Sequence, residues 1–162
     1  KLNWKVFWTI RKFRSDEEYQ AWLRGEAQPF EETRIDHNLL LNEGIGLLLD
    51  LLIGAGGTAY DNTNARLGVG DSATAESAAH TGLQAASNKA YAGMEATYPQ
   101  RSAQTVTWRA VFGSAVANFD WNEFTVVNAA DDTGVNLNRK VSAQGTKASG
   151  QTWTLDLTLT IS

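Results

Sequence analysis

The 162-residue chain contains no cysteine. Disulfides, thiolate zinc sites and a cysteine nucleophile are therefore excluded, and no redox compartment is implied. Histidine is nearly absent as well. His37 and His80 lie forty-three residues apart in polar, loop-like stretches, a pattern that assembles neither a His-based metal site nor a catalytic triad. Long apolar runs are missing too. The longest, around Leu47–Ile53, is interrupted by Asp50 and is too short to span a bilayer. No charged-then-apolar leader pattern opens the sequence, so a soluble protein without a membrane partner is expected. Positive charge is not in excess: the net charge is −4, and the first forty residues balance seven basic against seven acidic groups. Nucleic acid is accordingly not an expected partner.

What the chain has instead is alternation. Gln151 to Ser162 reads QTWTLDLTLTIS, with Trp153, Leu155, Leu157, Leu159 and Ile161 on one side and Thr152, Thr154, Asp156, Thr158 and Thr160 on the other. At roughly 1.5–3 kcal/mol per buried side chain, this strand supplies on the order of 10 kcal/mol of gross burial. It is expected near the centre of an antiparallel sheet with one covered face. Residues 1–14 alternate similarly. Leu2, Trp4, Val6, Trp8 and Ile10 share one face; Asn3, Lys5, Thr9 and Arg11 share the other, with Phe7 and Phe13 among them. A terminal strand this apolar must pair, within the chain or with a neighbouring molecule.

Ser15-Asp16-Glu17-Glu18 is a capping box, followed by Tyr19, Trp22 and Leu23 at helical spacing, and predicts a helix over about 16–24. Pro29 opens a second extended piece, Phe30 to Leu41. Asn42 is placed to cap a further helix, with Ile45, Leu48, Leu49, Leu52 and Ile53 in one stripe and Leu47 and Leu51 widening it; Gly54 ends it. A helix apolar over most of its circumference packs on a sheet and against something else as well. Gly44 and Gly46 weaken it locally. Beyond residue 54 the composition turns to Ala, Thr and Gly. Arg66 to Asp71, Lys89 to Tyr98, Thr105 to Phe112, Asn118 to Val127 and Val135 to Val141 read as strands, with turn chemistry at Asp131-Asp132-Thr133-Gly134. Phe119, Trp121, Glu123 and Thr125 are expected opposite Phe124 and Val126. Ser72 to Thr81 reads as a surface excursion whose return Leu83 anchors. Strands at intervals of about 10–15 residues predict a mainly β protein: an antiparallel β-sandwich with one packed helix and an N-terminal strand-helix arm. The arm is assigned to 1–41 and the helix plus sandwich core to 42–162.

Motifs for chemistry are weak. Gly68-Val69-Gly70-Asp71 lacks the third glycine and the lysine of a phosphate loop and reads as a turn after a strand. Asp120 and Glu123 face opposite sides of a strand, so surface charge or a salt bridge to Arg109 or Arg139 fits them better than paired sugar-cleaving carboxylates. Asp61, Asp71, Asp131 and Asp132 match no calcium-loop spacing. No catalytic residue, cofactor or metal is expected, and the chain does not read as an enzyme. Trp4, Trp8 and Trp22 crowd the charged N-terminal unit, and rigid aromatics beside Arg are what interface centres use.

From Asn38 onward the features occur in a characteristic order. Asn38-Leu39-Leu40 leads to Asn42-x-Gly44 and the leucine helix; Leu67-Gly68-Val69-Gly70-Asp71 and Thr81-Gly82-Leu83 follow. Then come Phe119-Asp120-Trp121-Asn122-Glu123-Phe124, Leu137-Asn138-Arg139 and Lys147-x-Ser149-Gly150-x-Thr152-Trp153. About three quarters of the chain thereby resembles a broad group of tailed-bacteriophage virion proteins, encoded among head and tail genes and related in pattern to tail-collar fibre domains. The resemblance implies a structural, non-enzymatic, β-rich subunit of the virion, assembled in the host bacterial cytoplasm.

The expectation is a capsid decoration (cement) protein that clamps neighbouring shell subunits and forms homo-oligomers, with other virion proteins as partners and the major capsid protein first among them. Leu2, Trp4, Val6, Trp8 and Trp22 are the expected anchors, and Lys5, Arg11, Lys12 and Arg14 are expected to meet acidic surface. Deleting residues 1–14 is then expected to abolish particle binding and leave the sandwich folded. A tail, collar or baseplate fibre-attachment subunit is the alternative of the same class. A carbohydrate-binding sandwich using Trp121 or Trp108 as a platform is the alternative from another class.

Overall fold

The computed structural model describes residues 1–162 and contains ten strands and two helices. In chain order they are β1 (Trp4–Phe13), α1 (Asp16–Leu23), β2 (Glu31–Asp36), β3 (Leu39–Leu40), α2 (Asn42–Ile53), β4 (Arg66–Gly70), β5 (Lys89–Gly93), β6 (Gln100–Ser102), β7 (Thr105–Phe112), β8 (Glu123–Val127), β9 (Asn138–Val141) and β10 (Thr152–Ile161). They form two five-stranded antiparallel sheets, ordered β2-β1-β10-β7-β6 and β3-β9-β8-β4-β5, packed face to face as a β-sandwich.

Register explains the core. In the first sheet Trp8 lies opposite Leu157 and Ile10 opposite Leu155, while Leu155 faces Ala110 and Leu157 faces Trp108 across β7. In the second, Leu67 pairs with Val126 and Val69 with Phe124. These alternate residues meet between the sheets, as period-2 geometry requires. Aromatic rings fill the centre: Trp121 lies edge-on to Phe112 and to Trp153, each at 4.9 Å, and Trp8 sits 5.8 Å from Phe124.

Each outer face is also covered in part. Over the first sheet lies α1, whose Tyr19 and Trp22 pack on Phe13 at 5.6 and 5.4 Å. Ser15 caps it by accepting from Glu18 N at 3.0 Å. The Glu18 carboxylate reaches back to Arg14 N, one residue before the cap. Over the second sheet runs the loop 71–88, an extended strap where a simple surface excursion was expected; Leu83 is buried at its return.

Several expectations change in detail. The N-terminal strand pairs along its whole length with β10 and on its other side with β2, so it is an interior strand of the sheet. Residues 1–41 are thereby woven into both sheets, because β3 joins β9. Trp121 precedes β8 instead of lying within it, and the irregular backbone at 118–122 turns its ring inward beside Phe124, at 6.2 Å. The cap residue of α2 is Leu41, and Asn42 begins the helix. Gly54 closes α2 in the left-handed conformation, φ 72°. Gly44 has a packing role: a Cβ there would stand 2.5 Å from the Leu137 carbonyl oxygen, so only glycine lets α2 lie this close to the chain entering β9.

Candidate functional site

Of the nine residues expected to make contacts, Lys5 is exposed on β1 and the other eight separate into three groups. Trp8 and Lys12 are core residues. Trp8 is fully buried, and Lys12 places its ammonium 4.3 Å from the Trp153 ring centroid while donating to Glu31 at 3.0 Å and to the Gln144 carbonyl at 2.7 Å. Neither is available as a surface anchor in the folded protein.

Arg11 and Trp22 are engaged within the chain. Asp156 accepts from Arg11 at 3.0 Å and from Arg109 at 2.8 and 2.7 Å. The two guanidiniums stand 5.3 and 5.5 Å from the Trp22 ring centroid, so α1 is held on the sheet by one carboxylate, two arginines and an indole. The Arg109 guanidinium is held above even its usual high pKa, chiefly by the hydrogen bonds to Asp156.

Leu2 and Arg14 are exposed, and Trp4 and Val6 are partly buried against the core. Leu2 lines an open hollow with Val106 and Ile161 at one end of the first sheet. Arg14 pairs with Glu18 and lies 5.2 Å from the Phe30 ring centroid.

The tryptophans proposed as sugar platforms are interior. Trp121 is fully buried and donates to the Ala117 carbonyl at 3.0 Å; Trp108 is nearly so and donates to the Tyr60 carbonyl at 2.9 Å. Neither offers a ring face to solvent. Asp120 bonds Thr146 at the surface. No three His, Cys, Asp or Glu side chains cluster as a metal site, and no helix is long and apolar enough to cross a membrane.

Two buried charge systems were only partly visible in the sequence. Glu123 and Arg139 form a fully buried ion pair at 2.8 Å. The Glu123 carboxylate also accepts from Gln84 N and Ala85 N, each at 2.8 Å, while Arg139 donates to the Thr74 carbonyl at 2.9 Å. The pair therefore bolts the strap 71–88 onto the outer face of the second sheet. It also explains the glycine of β4 nearest the turn: a Cβ on Gly70 would collide with the Glu123 carboxylate.

Lys147 is the second. Fully buried, it donates to the Gly113 carbonyl at 2.8 Å and to Asn118 Oδ1 at 2.7 Å. Burial pushes its pKa down to about 8, with the Asp16 charge partly opposing. Between that value and the ordinary 10.5, the unfolded chain binds a proton that the folded chain does not, so folding stability rises with pH through this window. Tyr19, Tyr60 and Tyr91 act oppositely. Burial raises each well above its usual value of 10, so the unfolded chain loses those protons first and stability falls beyond it. We expect the melting temperature to climb between about pH 8 and 10, and Lys147→Met to flatten that climb. An unchanged slope in the variant melts would contradict this assignment.

The most unusual surface lies on α2. Its inner side is fixed by Gly44 and Leu47, both buried, and by Leu48 against the core. Its outer side leaves Ile45 at 41%, Leu49 at 56%, Leu52 at 81% and Ile53 at 76% exposure. The sequence signal was the helix's all-round apolarity, and nothing else in the chain covers this side. No protein-family model, curated protein or solved structure matches this chain.

Proposed function

We propose that this chain is a structural subunit of a tailed-bacteriophage virion, and specifically a capsid decoration protein. The observation that carries the reading is the bare aliphatic side of α2, mounted on a sandwich whose outer faces are each covered in part by its own chain. Exposed aliphatic side chains this concentrated mark surfaces that are occupied in an assembly. The ordered succession of sequence features from Asn38 to Trp153 supplies the kind of assembly.

In this reading the N-terminal strand is not a clamp. It belongs to the sheet, and assembly contacts fall to exposed groups such as Leu2 and to α2. Antibody-gold labelling of intact particles tests it by electron microscopy. Many labels over the head are expected. Labels at the tail, collar or baseplate would move the protein to fibre attachment, and particles without label would remove the virion reading.

A further inference from the structure

We propose that the bare side of α2 is covered by a second copy of this chain, packed helix against helix. The proposal rests on the reading of α2 as an assembly surface and names its occupant.

The stripe is built for such a contact. Ile45, Leu49 and Leu52 recur at i, i+4 and i+7, the spacing of a two-helix seam. Their helix is already held in place from its inner side, so association orders no new backbone. Asp50 is the single ionisable residue between Gly44 and Ala59. A partner that recognises charge finds almost nothing to read there, whereas a like copy meets aliphatic surface with aliphatic surface. Self-complementarity of this kind is what a twofold contact demands.

Gly46 points the same way. A glycine inside a helix lowers its stability, and Gly44 has an evident reason in the Leu137 backbone. Gly46 has none within the chain: a Cβ built there meets no atom within 4 Å. On the helical wheel it borders the stripe beside Leu49 and Ile53. A missing side chain at that edge lets a second helix approach closely, as small residues do at helix–helix contacts elsewhere. Area agrees. The stripe presents on the order of 500 Å² of aliphatic surface, toward the upper end of what monomeric proteins leave bare. Two such sides together approach the roughly 1,000 Å² total that a specific interface requires.

The test is molar mass by light scattering on the purified full chain at about 50 μM, beside Leu52→Glu. Leu52 is 81% exposed, so the variant is expected to fold, and its melting curve checks that it does. The expected result is a multiple of 17.7 kDa for the parent and 17.7 kDa for the variant. A parent that stays at the monomer mass overturns the proposal, as does a variant that remains oligomeric. Gold labelling distinguishes the two readings: a monomer that decorates particles removes only the self-contact, and an oligomer absent from particles removes only the virion assignment.

Discussion

Deleting residues 1–14 should leave a chain that does not fold. The sequence alone suggested the opposite, an arm that is removable without harm. In the structure the deletion takes away β1, which pairs with β10 from Trp4 to Phe13 and with β2 on its other edge. Trp8, Ile10 and Phe13 are each fully buried. At about 1.5–3 kcal/mol per side chain, their burial is comparable with the roughly 5–15 kcal/mol by which a whole domain is stable. The deletion also strips one ladder from β10 and removes the floor on which α1 packs. Circular dichroism against temperature is the measurement. No cooperative transition is expected from the truncated chain, and a melt close to that of the full-length protein would show that β1 is dispensable.

The second large effect is expected at the buried ion pair. Arg139→Met leaves the Glu123 carboxylate without its cation in a site with no solvent access. Breaking such a pair from one side costs about 3–5 kcal/mol, a large share of a domain's stability. The strap should suffer first, because Arg139 also holds the Thr74 carbonyl and the reoriented Glu123 no longer secures Gln84 N and Ala85 N. A urea denaturation midpoint well below the parent's, with protease cleavage appearing inside 71–88, is the expected outcome. Removing Glu123 as well should restore little, since the two strap N–H groups then lose their acceptor altogether. A variant that unfolds at the parent's midpoint with an uncut strap would mean the pair is structurally idle.

The strands were legible because their alternation is local. Trp153, Leu155, Leu157 and Leu159 face inward as read, and Ser15 with Glu18 marked the start of α1. The opposite face of β10 was misjudged for a tertiary reason. Thr152, Thr154 and Asp156 are buried too, since α1 and the two arginines lie over that face, and no periodicity reports a cover that arrives from another element. Trp121 was assigned to the wrong side because two-residue periodicity fails where the backbone leaves the strand. Arg139 was legible as a salt-bridge partner for Glu123, but neither its burial nor that of Lys147 was. Their burial depends on partners brought together by the fold: Glu123 for one, Gly113 and Asn118 for the other.

The N-terminal aromatics illustrate the same limit. Trp4, Trp8 and Trp22 share a composition that suits interfaces and cores alike, and only the register of β1 against β10 decides that Trp8 is core. The outer side of α2 is the converse case. Its sequence announced more apolar surface than one sheet contact needs, and the structure leaves that excess uncovered.

Thiol reactivity at that side tests the assembly account most directly. The natural chain has no cysteine, so Leu52→Cys introduces a single thiol, and Ser77→Cys on the exposed strap provides the control. In purified particles carrying each variant, the account predicts that maleimide modifies Ser77→Cys at once and Leu52→Cys only after denaturation. Equal, rapid modification of both in native particles would contradict it.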